Sequence, residues 1–293
     1  MSTETVDPRY SQIDRLPTAE AIGIMLAGQH AAIASLESQT IAIAMAAEAA
    51  AARLRDRGRL CYAGAGTSGR VGVQDGVELT PTYGWPEARL SFFLAGGMDA
   101  LMRAVEGAED DGPDARRQVV EAALGPQDVL IGIAASGRTP FTIGAIEEAR
   151  ARGALTIAIA NNPGTPLLAA ADHAILLDTG SEAIAGSTRM GAGTSQKAAL
   201  NLLSTAIMLR LGLVFRGLMV NMRISNTKLR LRARAMVAEI AGVDEASADA
   251  ALDATGGDIR RAILHALGLS AEQTEARLAT SRDFHEVLRG LIG

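Results

Sequence analysis

Apolar residues recur at helical spacing in the first part of the chain and then give way to short continuous runs. Between residues 18 and 57 they stand three or four positions apart, for example at Ile22, Met25 and Ile33, and this spacing predicts helix. Gly58 follows as the expected helix end. Residues 1–57 are therefore predicted to form an N-terminal helical segment.

Five short apolar runs follow, each bounded by a polar or glycine-rich turn. They predict strands at residues 59–63, 88–94, 128–134, 155–160 and 173–177. Helical patterns lie between the strands, including one over residues 98–106. Strands that alternate with helices predict an α/β fold with a parallel five-stranded sheet flanked by helices. Ligands of such sheets bind at the carboxyl ends of the strands.

The pattern changes again after the last strand. Two longer helical patterns, near residues 193–211 and 220–241, complete a predicted domain over residues 58–241. Gly242 and an acidic stretch then mark the start of a third segment, residues 242–293, with three short helical patterns. This segment resembles a small ubiquitin-associated helical bundle. Because no other feature suggests ubiquitin as a partner, we expect it to be a packing appendage.

Composition narrows the class of protein. Apolar residues make up 48% of the 293 residues, which is enough for a large core, and the net charge is −5. No basic stripe marks the first two-thirds of the chain, which argues against nucleic acid as a partner. The single cysteine, Cys61, excludes an internal disulfide and is expected to be an inert core thiol. The chain shows no signal-peptide pattern and no apolar run expected to span a bilayer, so we expect a cytoplasmic protein with no membrane partner.

The triplet Ser-Gly-Arg follows two of the predicted strands, at Ser68-Gly-Arg70 and at Ser136-Gly-Arg138. A helix N-terminus offers unpaired N–H groups and the positive end of the helix dipole. Glycine allows the backbone to approach an anion closely, and serine or threonine hydroxyls add neutral donors. Two such loops in a parallel sheet predict a cradle for a sugar phosphate.

Other interpretations stay open for two of the polar loops, the one after the first predicted strand and the one at residues 186–189. Gly64, Gly66 and Gly69 spell the dinucleotide fingerprint, but that site needs a carboxylate after the next strand, where Leu94 is followed by Ala-Gly-Gly. We therefore favour a phosphate monoester. The loop Gly186-Ser-Thr-Arg189 is either an ordinary helix cap or a second site for an anion or a hydroxyl.

Acidic residues near these loops are the candidates for acid–base chemistry. They are Glu78, Glu106 and Glu109, each of which could equally cap a turn or lie on a solvated helix end. No histidine lies in the loops, so any proton transfer falls to carboxylates. No cluster of cysteine and histidine suggests a metal, and Asp110 with Asp111 is not a convincing cage.

Several motifs together resemble the N-acetylmuramic acid 6-phosphate etherases. They are Gly64-Ala-Gly-Thr-Ser-Gly-Arg70, Ala104-Val-Glu-Gly-Ala-Glu-Asp110, Gly132-Ile-Ala-Ala-Ser-Gly-Arg-Thr-Pro140 and Ala192-Gly-Thr194, with Thr3-Glu4 near the start. The resemblance implies the sugar isomerase (SIS) fold, a homodimer and a role in bacterial cell-wall recycling. It also implies cleavage of the D-lactyl ether of the substrate by elimination and hydration, without a metal or an organic cofactor.

The same resemblance assigns the site. Glu78 is expected to donate a proton to the departing lactate, and Glu109 is the second catalytic carboxylate, expected to be the base. The substrate-binding residues it implies are Thr67, Ser68, Glu106, Ser136, Gly137, Arg138, Thr139, Ser187, Thr188 and Arg189.

The chain departs from the family's usual pattern at Val77, Thr80 and Gly191, where the family has serine, proline and lysine. These departures keep Glu78 but leave a related phosphosugar open as the substrate. Two other functions on the same fold also stay open. One is a non-catalytic sugar-phosphate sensor similar to the glucokinase regulatory protein, and the other is a phosphosugar isomerase.

Overall fold

The computed structural model describes residues 2–103 and 105–292 and divides the chain into two compact units. The first unit comprises Met1–Gly76 and Ala88–Ala206, and the second comprises Val77–Glu87 and Ile207–Gly293. This grouping by contacts does not follow the three segments expected from the sequence, 1–57, 58–241 and 242–293. That division stays a prediction of how the chain is organised.

A parallel sheet forms the centre of the first unit. Its strands are β1 (Leu60–Gly64), β2 (Leu90–Leu94), β3 (Val129–Ala134), β4 (Leu155–Ala160) and β5 (His173–Leu176), in the order β2-β1-β3-β4-β5. All neighbours are parallel, which confirms the predicted sheet. In the register, Gly64 pairs with both Leu94 and Ile133, and Ala134 pairs with Ala160. The carboxyl ends of β1 to β4 therefore lie at one edge.

Seven helices accompany the sheet in the described part of the first unit. They are α1 (Thr18–Ala34), α2 (Thr40–Leu54), α3 (Gly66–Tyr83), α4 (Gly112–Glu121), α5 (Pro140–Ala151), α6 (Pro166–Ala170) and α7 (Gly191–Arg210), with α3 continuing into the second unit. The predicted helical segment 18–57 is interrupted at residues 35–39, where polar side chains bond the backbone, as Ser35 Oγ does to the Ala32 carbonyl at 2.7 Å. Of the pattern over 98–106, the described residues 98–103 and 105–106 form a short 3-10 turn, Met98–Leu101, after Gly97 with φ +70°.

The segment Thr18–Leu54 is long and apolar enough, by length and composition alone, to cross a membrane, and 17% of its apolar 18-residue window is buried. This differs from the expectation that no apolar run reaches that length. The structure divides the segment into helices of 17 and 15 residues, whereas a membrane span needs about 20. Several large apolar side chains are exposed on this pair of helices: Ile22, Leu26, Ile33, Ile41 and Met45.

The second unit is built around helices α8 (Thr227–Ala241), α9 (Glu245–Ala254), α10 (Ile259–Ala266), α11 (Ala271–Thr280) and α12 (Phe284–Val287). An apolar cluster that includes Phe215, Met236, Leu252, Ile263 and Phe284 forms its core. A side-chain N-cap begins each helix, at Asn226, Asp244, Asp258, Ser270 and Asp283. The cap at Asn226 explains why α8 begins later than the pattern at 220 suggested.

A buried carboxylate fastens α3 inside the first unit. Asp75 accepts hydrogen bonds from Tyr62 Oη at 2.9 Å, Asn201 Nδ2 at 2.9 Å and Ser204 Oγ at 3.1 Å. Burial raises the pKa of the Asp75 carboxyl, although these donors act in the opposite direction. The network joins α3 to β1 and α7, and so fixes the helix that begins at the first Ser-Gly-Arg loop.

At the amino ends of the strands, Asp128 joins β1 to β3. Its carboxylate accepts from the backbone N–H of Arg59 at 2.8 Å, from Arg59 Nη2 at 2.7 Å and from the Gly125 N–H at 2.9 Å. Burial opposes ionisation, but the hydrogen bonds from Arg59 and Gly125 outweigh it and lower the pKa of Asp128.

Asp128→Asn should lower the free energy of unfolding by about 1–3 kcal/mol at pH 7, because it removes the negative charge that accepts hydrogen bonds from Arg59 and from the Gly125 N–H. Because the pKa of Asp128 is lower in the folded protein than its ordinary value of 3.8, the ionised carboxylate stabilises the fold at pH values above 3.8. This stabilisation is lost as the pH falls through the pKa of the folded state. The difference between wild type and variant should therefore shrink as the pH falls below 3.8. Urea unfolding across this range measures it, with the exposed Asp178→Asn as control, and a difference independent of pH would contradict the assignment.

Candidate active site at the carboxyl edge of the sheet

A cavity of about 390 Å³ lies where the loops after β1 and β3 meet. Six of the expected substrate-binding residues and one expected catalytic residue line it. The full lining consists of Glu4, Ala65, Gly66, Thr67, Ser68, Glu109, Asp110, Ala134, Ala135, Ser136, Arg138, Thr139, Pro140 and Thr188. All of these residues belong to the first unit.

The loop after β3 has the features of a phosphate site. Ser136 Oγ accepts a hydrogen bond from the Arg138 N–H at 3.1 Å and lies 3.4 Å from Thr139 Oγ1, a contact in which either hydroxyl can donate. One of the two hydroxyl protons is therefore free to be donated. Gly137 has φ +64°, and an added Cβ would lie 2.3 Å from Thr165 Oγ1, so only glycine fits. Helix α5 begins immediately afterwards, with no side-chain cap at Thr139. Hydroxyls and a helix N-terminus thus face the same space.

The two Ser-Gly-Arg triplets place their arginines differently. Arg70 donates to the carbonyls of Ala100, Leu101 and Arg103 at 2.8–3.2 Å, and so holds the turn after β2. Arg138 is exposed, lines the cavity and makes no side-chain hydrogen bond or ion pair with any residue that the structure describes. The second arginine is therefore available to a bound anion, whereas the first is structural.

A directional chain of hydrogen bonds orients Ser68 behind the cavity. Asn161 Nδ2 donates to the Leu177 carbonyl at 3.0 Å, so its Oδ1 faces Gln196. Gln196 Nε2 then donates to Asn161 Oδ1 at 2.8 Å. Gln196 Oε1 accepts the Ser68 hydroxyl at 3.0 Å. Because the Ser68 proton is used here, the hydroxyl offers the cavity an acceptor, which suits a sugar hydroxyl better than a phosphate oxygen.

The acidic run after β2 divides between the cavity and a helix cap. Glu109 and Asp110 line the cavity from a 3-10 turn, Ala108–Asp110, whereas Asp111 caps α4 by accepting from the Asp114 N–H at 2.9 Å. Glu106 does not line this cavity. It lines a neighbouring one of about 220 Å³, which also includes Glu109.

Glu78 is not brought into the cavity lining. It is exposed on α3 and belongs to the second unit. The expected pairing of Glu78 with Glu109 over one sugar is therefore not formed by this lining, and the role of Glu78 stays a prediction.

The third polar loop contributes one residue. Thr188 lines the cavity, whereas Ser187 and Arg189 do not. Gly137, in the loop after β3, is also absent from the lining. The N-terminus of α7 already holds an internal anion, because the buried Glu182 carboxylate accepts from the N–H groups of Gly191 at 2.8 Å and Ala192 at 2.9 Å. This contact argues against a second anion site at that helix end.

The sequence analysis did not predict two charged residues of the lining, Glu4 and Asp110, as site residues. No local pattern marks Glu4, because its position depends on contacts with residues about 160 positions away. Cys61 is buried as expected, and burial raises the pKa of its thiol to about 12, so it is no nucleophile. Within the described ranges, no group of three or more His, Cys, Asp or Glu side chains is arranged to hold a metal ion.

The two arginines make a matched pair of variants. Arg138→Ala should weaken the binding of a hexose 6-phosphate about tenfold or more, because a charge-assisted hydrogen bond is lost, and should leave stability unchanged. Arg70→Ala should instead lower the free energy of unfolding by about 1–3 kcal/mol. Calorimetric titration and urea unfolding measure the two effects. Equal losses of affinity without any loss of stability would show that the two triplets are equivalent.

The sequence of this chain matches two family models and several known proteins. The glucokinase regulatory protein N-terminal SIS domain matches residues 42–150, and the SIS domain matches residues 110–206. An N-acetylmuramic acid 6-phosphate etherase of Deinococcus radiodurans is 48% identical over 94% of this chain and 91% of its own length. One of Streptomyces avermitilis is 44% identical over 97% of this chain and 92% of its own length.

A solved structure supports the fold alone. A putative phosphosugar isomerase of Bacteroides fragilis has a TM-score of 0.53 and 19% identity, and the match covers 69% of this chain and 95% of the other. The fold class and the resemblance stated from the sequence are therefore confirmed. With close to half of its residues identical to a curated relative over nearly its full length, the chain belongs to the N-acetylmuramic acid 6-phosphate etherase family.

Proposed function

We propose that this protein is a carbon–oxygen lyase that cleaves the D-lactyl ether of N-acetylmuramic acid 6-phosphate, giving N-acetylglucosamine 6-phosphate and D-lactate. One observation carries the proposal beyond family membership. A free arginine, two hydroxyls and a helix N-terminus share a single cavity with Glu109. A phosphate group and a reacting carbon are thus accommodated in the same space.

The cavity divides into donors and acceptors. Ser136, Thr139 and Arg138 hold the phosphate, because phosphate oxygens accept hydrogen bonds and carry negative charge. Thr67 and Ser68 face the sugar, and Ser68 accepts from one of its hydroxyls. Glu109 lines the same cavity, and its role in the proposal is to act on the sugar ring.

The reaction is an elimination followed by a hydration. Glu109 removes the proton from the carbon next to the aldehyde of the opened sugar, and the electron pair forms a carbon–carbon double bond. The bond from the sugar's third carbon to the lactyl oxygen breaks, and Glu78 supplies a proton to that oxygen. Water then adds to the double bond and restores a hydroxyl at the third carbon.

The site is completed by a second copy of the chain. Within one chain Glu78 is not among the residues that line the cavity with Glu109. Large apolar side chains are exposed on α1, α2 and α7, among them Ile22, Ile41 and Leu202. A homodimer buries such surface and brings one copy's Glu78 to the other's cavity. The cytoplasmic location and the absence of nucleic-acid and membrane partners stay predictions.

Glu109→Gln should lower D-lactate release from N-acetylmuramic acid 6-phosphate by about 100-fold or more, because the base is removed while the shape is kept. Enzymatic lactate assay measures it, with the exposed Glu239→Gln on α8 as control. In heavy-oxygen water, label should enter the hydroxyl on the sugar's third carbon. Label in lactate would exclude elimination and rehydration.

The same assay separates the alternative functions. Binding of the substrate without lactate release would support a sensor, and conversion between aldose and ketose would support an isomerase. Either result would contradict the proposed activity.

Mixing two inactive variants tests the shared site. If Glu78 acts in the partner's cavity, Glu78→Gln and Glu109→Gln proteins should recover about a quarter of wild-type activity after subunit exchange, since half of the dimers are mixed and each has one intact site. Glu109→Gln mixed with Ser136→Ala is the control, because both changes affect the same half of the site, and it should recover none. No recovery in the first mixture, with exchange verified by mass spectrometry, would contradict the shared site.

A further inference from the structure

Residues 2–4 are fastened across the carboxyl edge of the sheet by one buried asparagine. Asn162, which follows β4, accepts from Ser2 Oγ at 3.0 Å and donates to Thr3 Oγ1 at 3.0 Å. The same amide donates to the Ala135 carbonyl at 2.9 Å, and Ala135 lines the cavity. Thr3 and Asn162 are almost fully buried. The segment is therefore held in place from the side of the phosphate loop.

The loop after β5 holds the segment from the other side. The Gly186 N–H donates to the Thr3 carbonyl at 3.0 Å. A Cβ added at Gly186 would lie 2.9 Å from Glu4 Oε2, so the missing side chain leaves room for the carboxylate. Glu4 thus projects into the cavity between Thr188 and the phosphate loop.

The Glu4 carboxylate is accessible and has no internal partner. Its side chain is exposed and makes no hydrogen bond or ion pair with a residue in the described ranges. An ionised carboxylate only accepts hydrogen bonds. A phosphate is therefore repelled from it, whereas the hydroxyls and the amide N–H of an acetylated amino sugar are suitable donors.

We propose that Glu4 is a substrate-binding residue that accepts a hydrogen bond from a hydroxyl or amide N–H of the bound sugar, and that Thr3 positions it. The proposal rests on the proposed function, because it needs a sugar phosphate in this cavity. It adds Glu4 to the ligand contacts of a cavity whose lining also includes Thr67 and Ser68.

The test compares Glu4→Gln, Thr3→Val and their double variant in the full chain, with the exposed Glu20→Gln as control. Glu4→Gln should raise KM for lactate release about tenfold and leave kcat within about twofold, because the bond is made equally in ground and transition states. Thr3→Val should raise KM in the same direction. The double variant should be no worse than Glu4→Gln, because Thr3 acts through Glu4.

Calorimetric binding of N-acetylglucosamine 6-phosphate to the same proteins separates this proposal from the activity. If wild type binds this ligand but releases no lactate, the proposed function fails while a tenfold loss of affinity in Glu4→Gln still supports the role of Glu4. Unchanged affinity and KM in Glu4→Gln would overturn that role, and so would a wild type that binds no sugar phosphate. Additive losses in the double variant would overturn the positioning role of Thr3, because they would show that it acts independently of Glu4.

Discussion

The parallel register of the sheet is the constraint on which the site depends. Gly64, Ala134 and Ala160 end neighbouring strands at levels that differ by no more than one residue, so the turns after β1, β3 and β4 open onto one surface. Each turn needs its residue types for a local reason: a glycine where Thr165 leaves no room, or an asparagine where strand-end carbonyls need a donor. Chemistry spread over more than 100 residues of sequence is thereby gathered without any long-range signal in the sequence itself.

Patterns with a fixed period were predictable, and contacts between distant residues were not. The apolar runs gave all five strands to within about two residues, because a strand buried on both faces needs a continuous apolar stretch. The position of the polar loop after β3, at the carboxyl edge of the sheet, was equally predictable, whereas its role in phosphate binding stays a prediction. The two Ser-Gly-Arg triplets are identical in sequence, yet Arg70 serves the turn after β2 and Arg138 faces the cavity. Only the carbonyls near Ala100 distinguish them, and no local rule reveals those.

One departure from the family pattern, Thr80, has a physical partner in this chain. Thr80 stands where the family has proline, and its hydroxyl donates to the Trp85 carbonyl at 2.8 Å, so a side-chain bond fixes the turn that a ring would have stiffened. Gly76 lies against Phe92, and an added Cβ would be 2.5 Å from the ring. Val77 is exposed and has no such partner in the structure. The changes beside Glu78 therefore preserve the path of α3, and with it the position of the carboxylate on its helix.

The polarity of the cavity follows from which protons are already used. The Leu177 carbonyl fixes Asn161, Asn161 fixes Gln196, and Gln196 takes the Ser68 proton. Ser136 accepts from the Arg138 N–H and shares a hydroxyl contact with Thr139, so one proton of that pair stays available. The triplet after β3 thus offers a donor, whereas Ser68 after β1 offers an acceptor. This difference favours one orientation for a ligand that has an anionic end and a hydroxylated end, because the anion needs donors.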